Sequence, residues 1–100
     1  MHIIEESGPG GLIIKVAGRL DTPSAGVFQE RLVAAVAAST GALTIDLAGV
    51  DYVSSAGLRA VLVAGKAMRA AGRPLALVAL QPPVRAVFDI SGFSALFNIT

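Results

Sequence analysis

The alternation of apolar and polar positions divides the chain into strand-like and helix-like stretches that follow one another without an internal repeat. From His2 to Glu6 the pattern changes at every residue, His2 and Ile4 falling on one side and Ile3 and Glu5 on the other, and Ser7-Gly8-Pro9-Gly10-Gly11 then supplies a turn. Leu12 to Ala17 predicts a second strand, with Leu12, Ile14 and Val16 on one face and Lys15 on the other, suited to a hairpin with the first. Gly18 is expected to end it. The segment from Gly18 to Gly26 reads as a loop entering a helix, because Asp21 or Thr22 can cap and Pro23 suits a first helical position whose N–H needs no partner. Phe28, Leu32, Ala35 and Val36 form the buried stripe of that helix, and Ser39-Thr40-Gly41 stops it.

Ala42 to Leu47 predicts the next strand, apolar at Leu43, Ile45 and Leu47, and Ala48-Gly49-Val50-Asp51 reads as the way out of it into a loop holding Ser54 and Ser55. After the serines, Leu58, Val61, Leu62, Gly65 and Met68 recur at the three-and-four spacing of a helix's buried face, which places Ser54 and Ser55 at or beside its N-cap. Gly72-Arg73-Pro74 breaks the chain. Leu75 to Leu80 is continuously apolar, the character of a strand covered on both faces and central in its sheet. Pro82-Pro83 opens a further helix, with Val84, Val87 and Phe88 inward and Ser91-Gly92 as its stop, and Leu96 to Ile99 is a last strand or a frayed end.

The order strand, strand, helix, strand, helix, strand, helix, strand predicts an α/β fold: a mainly parallel sheet of four to five strands built from right-handed crossovers, with an antiparallel N-terminal edge hairpin and helices packed against it. In open sheets of this kind sites lie beyond the carboxyl ends of the strands. The loops Gly18 to Pro23 and Gly49 to Gly57 are expected to open on that one rim.

One hundred residues fit a single domain, 1–100, with room for a proper core. The apolar fraction of 54% and mean hydropathy of +0.72 are high, but Ser, Thr, Gly, Pro or a charge interrupts every stretch well short of a membrane span. A surplus core or a sticky face is expected, not membrane insertion. The start, MHIIEESGPG, carries acidic residues instead of a basic region and does not read as a signal peptide, so the expected location is cytoplasmic. The absence of cysteine excludes disulfides, thiol catalysis and cysteine zinc sites. Eight basic against seven acidic residues without a basic run offer little to a phosphate backbone, so nucleic acid is not an expected partner.

The serine pair is the candidate site. A phosphoryl group on either hydroxyl would bring roughly −1.5 to −2 charges to a helix N-terminus, where negative charge is favoured by about 0.3–1 kcal/mol. Arg59, one helical turn on from Ser55, can lean back toward it. The plain alternative is simple capping, the commoner use of such a serine, and capping alone does not choose between Ser54 and Ser55. Catalysis by the pair lacks a base: the single histidine, His2, lies in the first strand, and neither G-x-S-x-G nor S-x-x-K occurs. Seven carboxylates scattered singly make no metal site, and GPGGLI stops short of a third glycine and leads into a strand. No metal or cofactor is implied. Asp21 divides between a helix cap and a group recognising a partner or nucleotide from the same rim, Asp51 reads as a loop-capping carboxylate, Tyr52 as a strand-end aromatic, and Lys66 and Arg73 as a solvated helix face.

Three segments in order resemble the anti-sigma factor antagonists, whose fold is the STAS domain shared with the tails of sulfate transporters. GRLDTPSA is similar to the family's GxLD segment, LTIDLAGVDYVSSAGLRAVL to its central strand, phosphorylation loop and helix, and PPVRAVFDISGF to its last helix. The resemblance implies a binding protein, not an enzyme. Unphosphorylated, it would capture an anti-sigma factor that is also a serine kinase; phosphorylation on a loop serine would end the capture, and a serine phosphatase would restore it. By match of residue to residue the phosphoacceptor falls on Ser55, with Ser54 as second choice, and the partner-binding surface on Asp21, Thr22, Ser54, Ser55, Ala56, Gly57 and Arg59. Ser54 stands where many relatives carry Asp. Relatives commonly continue into a further helix where this sequence stops at Asn98-Ile99-Thr100, so Phe93, Leu96, Phe97 and Ile99 are expected to be less covered and to favour self-association as a homodimer. Alternative roles for the same fold are a STAS subunit of a lipid-transport or anion-transporter assembly, or a module sensing a nucleotide or other small ligand.

Overall fold

A computed structural model describes residues 1–99 of the chain. In it the strands β1 (His2–Gly8) and β2 (Gly11–Leu20) are followed by α1 (Thr22–Ala38), β3 (Ala42–Val53), α2 (Ser55–Ala70), β4 (Leu75–Val78), α3 (Pro82–Ile90), a 3-10 turn at Phe93–Ala95 and β5 (Asn98–Ile99). The sheet is ordered β1-β2-β3-β4-β5, with β1 antiparallel to β2 and every other neighbouring pair parallel. The hairpin closes over Pro9-Gly10, with Gly8 opposite Gly11. Gly11 has φ +145°, and a Cβ there would lie 2.1 Å from the Ala42 carbonyl oxygen, so no other residue fits the contact with β3.

Each crossover steps one strand in the same direction, and right-handed crossovers that do so place their helices on the same face of a sheet. Burial agrees. Ile14, Val16, Leu43, Ile45, Leu47 and Leu77 are buried, whereas the residues between them, among them Lys15, Thr44, Asp46, Ala76 and Val78, are not. Phe28 and Leu32 from α1, Val61 and Met68 from α2, and Val84 and Phe88 from α3 join those strand residues in one cluster. The molecule is thus two layers, three helices over one face of the sheet.

This geometry corrects three expectations. β4 lies between β3 and β5, but the middle strand of the sheet is β3, and only Leu77 of β4 is fully buried. The apolar run to Leu80 is cut short where Ala79 adopts a left-handed φ of 59°, and the small side chain of Ala76 tolerates the open face. Gly18 does not end β2, which runs on to Leu20 through register shifts on either side of it. The stretch Ala48 to Asp51 is not a loop, because β3 continues to Val53. Ala48 and Gly49 are both exposed before Val50 turns inward, an irregularity that breaks the period of two and hides the strand from a pattern search. Smaller differences concern Val36, Leu62, Gly65 and Val87, which are half-buried at the margins of the core stripes.

Arg73 overturns the expectation of a solvated face. It follows Gly72, whose φ of +69° ends α2 in a Schellman motif: the Gly72 N–H donates to the Arg69 carbonyl and the Arg73 N–H to that of Met68. Its guanidinium then donates to the Val36 carbonyl at 2.8 Å, the Gly41 carbonyl at 2.8 Å and Ser39 Oγ at 2.6 Å, tying the end of α2 to the end of α1. Lys66, by contrast, is exposed. At the end of the chain Phe93 meets Phe88 edge-on at 6.0 Å and Phe97 at 5.8 Å between ring centroids. Phe93, Phe97 and Ile99 are half-buried, while Leu96 is 59% and Ile90 88% exposed, so the uncovered apolar surface lies at Leu96 and Ile90.

Candidate functional site

Leu20 and Val53 end β2 and β3 as paired residues, so the two loops that follow them emerge side by side. They are also bonded: the Ser54 N–H donates to the Leu20 carbonyl at 2.8 Å. Each strand end passes directly into a capped helix. Asp21 is the N-cap of α1, its Oδ1 accepting from the Ser24 N–H at 3.1 Å, and Ser54 is the N-cap of α2, its Oγ accepting from the Gly57 N–H at 3.2 Å. Gly57 is buried, and a Cβ on it would sit 3.1 Å from the Leu20 carbonyl oxygen, so the absent side chain lets the first turn of α2 lie against the end of β2.

The two serines are therefore in different situations. Ser54 is half-buried and its hydroxyl is engaged as the cap. Ser55 is the first residue of α2, exposed, and its hydroxyl takes part in no hydrogen bond among the described residues. Backbone N–H groups of a first helical turn have no intrahelical acceptor and carry the positive end of the helix dipole, so a negative group attached to Ser55 Oγ would face donors and not be repelled.

Around this point the rim holds Thr22, exposed, Ala56, half-buried, and Arg59, exposed one turn along α2. Among the described residues Arg59 forms no side-chain hydrogen bond or ion pair, so the expected lean toward Ser55 is not made with the neutral hydroxyl. Asp51 is not the loop cap expected of it; it is an exposed residue inside β3. Two contributors had no sequence signal. Arg19 stacks its guanidinium 4.2 Å above the Tyr52 ring, a cation–π contact across the β2–β3 pair where these residues oppose each other. Ser24 Oγ lies 2.8 Å from both Asp21 Oδ1 and the Arg19 carbonyl, bracing the cap of α1.

The Ser24 hydroxyl, and after it the Ser24 N–H, hold the Asp21 carboxyl below the usual carboxylate range, with Arg19 adding to the effect. A lowered folded-state pKa means that the ionised cap stabilises the fold above the ordinary carboxylate pKa. That contribution is lost as pH falls through the lower folded value. Asp21→Asn is therefore expected to melt below the parent at neutral pH, with the gap closing as pH falls below the ordinary carboxylate range. Thermal melts of both proteins from neutral pH to below that range check it, and a gap independent of pH would contradict it.

No helix among the described residues is long and apolar enough to cross a membrane. A family model described as the STAS domain matches residues 3–100. A candidate anti-sigma factor antagonist, BtrV of Bordetella bronchiseptica, is 39% identical over 99 residues, covering 99% of this chain and 85% of that protein. Among solved structures, an anti-sigma factor antagonist from Mycobacterium paratuberculosis superposes with a TM-score of 0.88 at 24% identity, over 98% of this chain and 83% of that one. The anti-sigma factor antagonist SpoIIAA in its unphosphorylated form gives 0.83 at 19% identity over 99% and 88%. SpoIIAA of Bacillus in its phosphorylated form gives 0.75 at 20% identity over 99% and 91%.

Proposed function

The chain belongs to the STAS domain family, and from that premise we propose that it is an anti-sigma factor antagonist acting in the cytoplasm by switching partners. The rim formed by Asp21, Thr22, Ser54, Ser55, Ala56, Gly57 and Arg59 captures an anti-sigma factor that is also a serine kinase. Capture releases the sigma factor. Transfer of the γ-phosphoryl group of ATP to Ser55 Oγ, with ADP leaving and the hydroxyl proton lost, ends the capture, and a serine phosphatase resets it by hydrolysis to serine and inorganic phosphate. The observation that carries this reading is the division between the two hydroxyls, one engaged in capping and one exposed beside unpaired helix donors. Ser55 is then a substrate: among the described residues the sole histidine, His2, is paired with Ala17 on the edge strand β1 and bonded to neither serine, and Asp21, the carboxylate of the rim, is engaged with Ser24 as the cap of α1.

Incubation with ATP and the cognate anti-sigma kinase, followed by mass spectrometry of the phosphorylated peptide, tests the assignment. Ser55→Ala is expected to abolish modification and to leave stability unchanged. Ser54→Ala keeps the acceptor but loses the cap, at a cost of about 1 kcal/mol. Phosphate found on Ser54, or on neither serine, would overturn the proposal.

A further inference from the structure

The second helix is charged with one sign only. From Ser55 to Ala70 it carries Arg59, Lys66 and Arg69 and no acidic residue, so its cations have no counter-ion along their own helix. Arg59 differs from the other two in bordering the rim. It is exposed and, among the described residues, in no ion pair. The charged groups that neighbouring elements bring to the same end of the sheet are otherwise placed: Arg19 is stacked on Tyr52, Asp21 accepts from Ser24, and Asp51 is exposed within β3. Side chains of a helix lean toward its N-terminus, over the turn that precedes their own Cα. For Arg59 that turn begins at Ser55, whose hydroxyl is exposed and unbonded among the described residues. An anion placed four residues before a cation is the favourable order at this spacing. A neutral serine offers the guanidinium little to hold, whereas a phosphorylated one offers several acceptor oxygens matched to its planar fork.

Resting on the reading of Ser55 as phosphoacceptor, we propose that Arg59 changes partner with the state of that serine. While Ser55 is unmodified, the guanidinium pairs with a carboxylate of the captured anti-sigma factor, the group that an exposed and uncompensated cation on a binding rim complements. Once Ser55 is phosphorylated, Arg59 turns back one helical turn onto the phosphate. The modification then acts twice: it brings an anion to the interface and withdraws the cation that the partner uses. Two anions compete for one guanidinium, and whichever loses is left desolvated without a partner.

Protein synthesised with Ser55 already phosphorylated, so that no kinase is needed, tests this by phosphorus NMR from about pH 4 to pH 8, a span that brackets the second phosphate ionisation near 6. In the parent that ionisation is expected about 0.3–1 unit below its value in Arg59→Gln, because the guanidinium favours the dianion. Lys66→Gln removes the same charge from the same helix, two turns further on, and is expected to titrate as the parent does. Both side chains are exposed, so neither variant should disturb folding. Unphosphorylated Arg59→Gln is expected to bind the anti-sigma factor about tenfold more weakly than the parent, with Arg59→Lys between them. An ionisation equal in the parent and Arg59→Gln, or moved as far by Lys66→Gln, would overturn the exchange of partners even where phosphorylation still ends the capture. So would parent-like binding by unphosphorylated Arg59→Gln. Capture that survives phosphorylation of Ser55 would instead overturn the reading of the switch itself, and this inference with it.

Discussion

Ser55→Asp is expected to remain folded and to lose about two orders of magnitude or more in affinity for the anti-sigma factor. The two halves of that result have separate physical origins. A carboxylate at the first position of α2 sits at the positive end of the helix, where it stabilises by about 0.3–1 kcal/mol, so the fold tolerates it. At the interface the same charge has no partner. A surface shaped to cover a neutral hydroxyl would have to strip water from an anion without offering it a cation, and an uncompensated buried charge costs about 3–5 kcal/mol. Each 1.4 kcal/mol is about tenfold in affinity, which gives the expected loss. Calorimetric titration of parent, Ser55→Ala and Ser55→Asp with the same anti-sigma factor, alongside thermal melts, separates binding from folding. Parent-like binding by Ser55→Asp would remove the basis of the switch. Ser55→Ala, which keeps the surface neutral, is expected to bind as the parent does.

The second large effect is on stability. Arg73→Ala removes a charged donor from three acceptors at 2.6–2.8 Å, two of them the carbonyls of Val36 and Gly41. Hydrogen bonds to charged groups contribute about 1.5–3 kcal/mol, and a cation beside the carboxyl end of a helix interacts favourably with its dipole. Because Arg73 is half-buried, a loss of about 2–3 kcal/mol is expected in urea unfolding, against less than about 0.5 kcal/mol for Lys66→Ala on the exposed face. Arg73→Lys should recover only part of it, since an ammonium cannot span three acceptors set around a planar fork. Equal effects of Arg73→Ala and Lys66→Ala would mean that the contact does not hold the ends of α1 and α2 together.

Arg73 also marks where sequence reasoning stops. Its spacing of seven from Lys66 suggests a shared helix face, but Gly72 ends the helix in between, and the acceptors of the guanidinium lie 32 to 37 residues away in the chain. Nothing local records such a contact. The apolar periods of α1, α2 and α3 are legible because each helix buries one stripe, and the helix starts because the caps Asp21 and Ser54 and the first-turn prolines Pro82-Pro83 act within their own turn. The strand ends were not legible: Gly18 and Gly49 look like stops, yet both lie within strands whose pairing carries them through irregular geometry. The misreading concealed how close the site is to the sheet. Only Asp21 separates β2 from α1, and only Ser54 separates β3 from α2. The choice of Ser55 over Ser54 rested in the sequence on family likeness alone; the hydrogen bond from Gly57 to Ser54 adds a physical ground for it.

The sequential strand order bears on how the molecule is made. Every strand pairs with the one synthesised just before it, so none must wait for a later segment to find its place. A chain emerging from the ribosome can close the β1–β2 hairpin, dock α1 with β3, then add α2 with β4 and α3 with β5, each step extending an existing edge. Loop closure stays short throughout, which favours rapid folding for a mainly parallel sheet. The rim bearing Ser54 and Ser55 is complete once β3 and the first turns of α2 have docked, so the last third of the chain is added to a molecule whose proposed interaction surface is already formed.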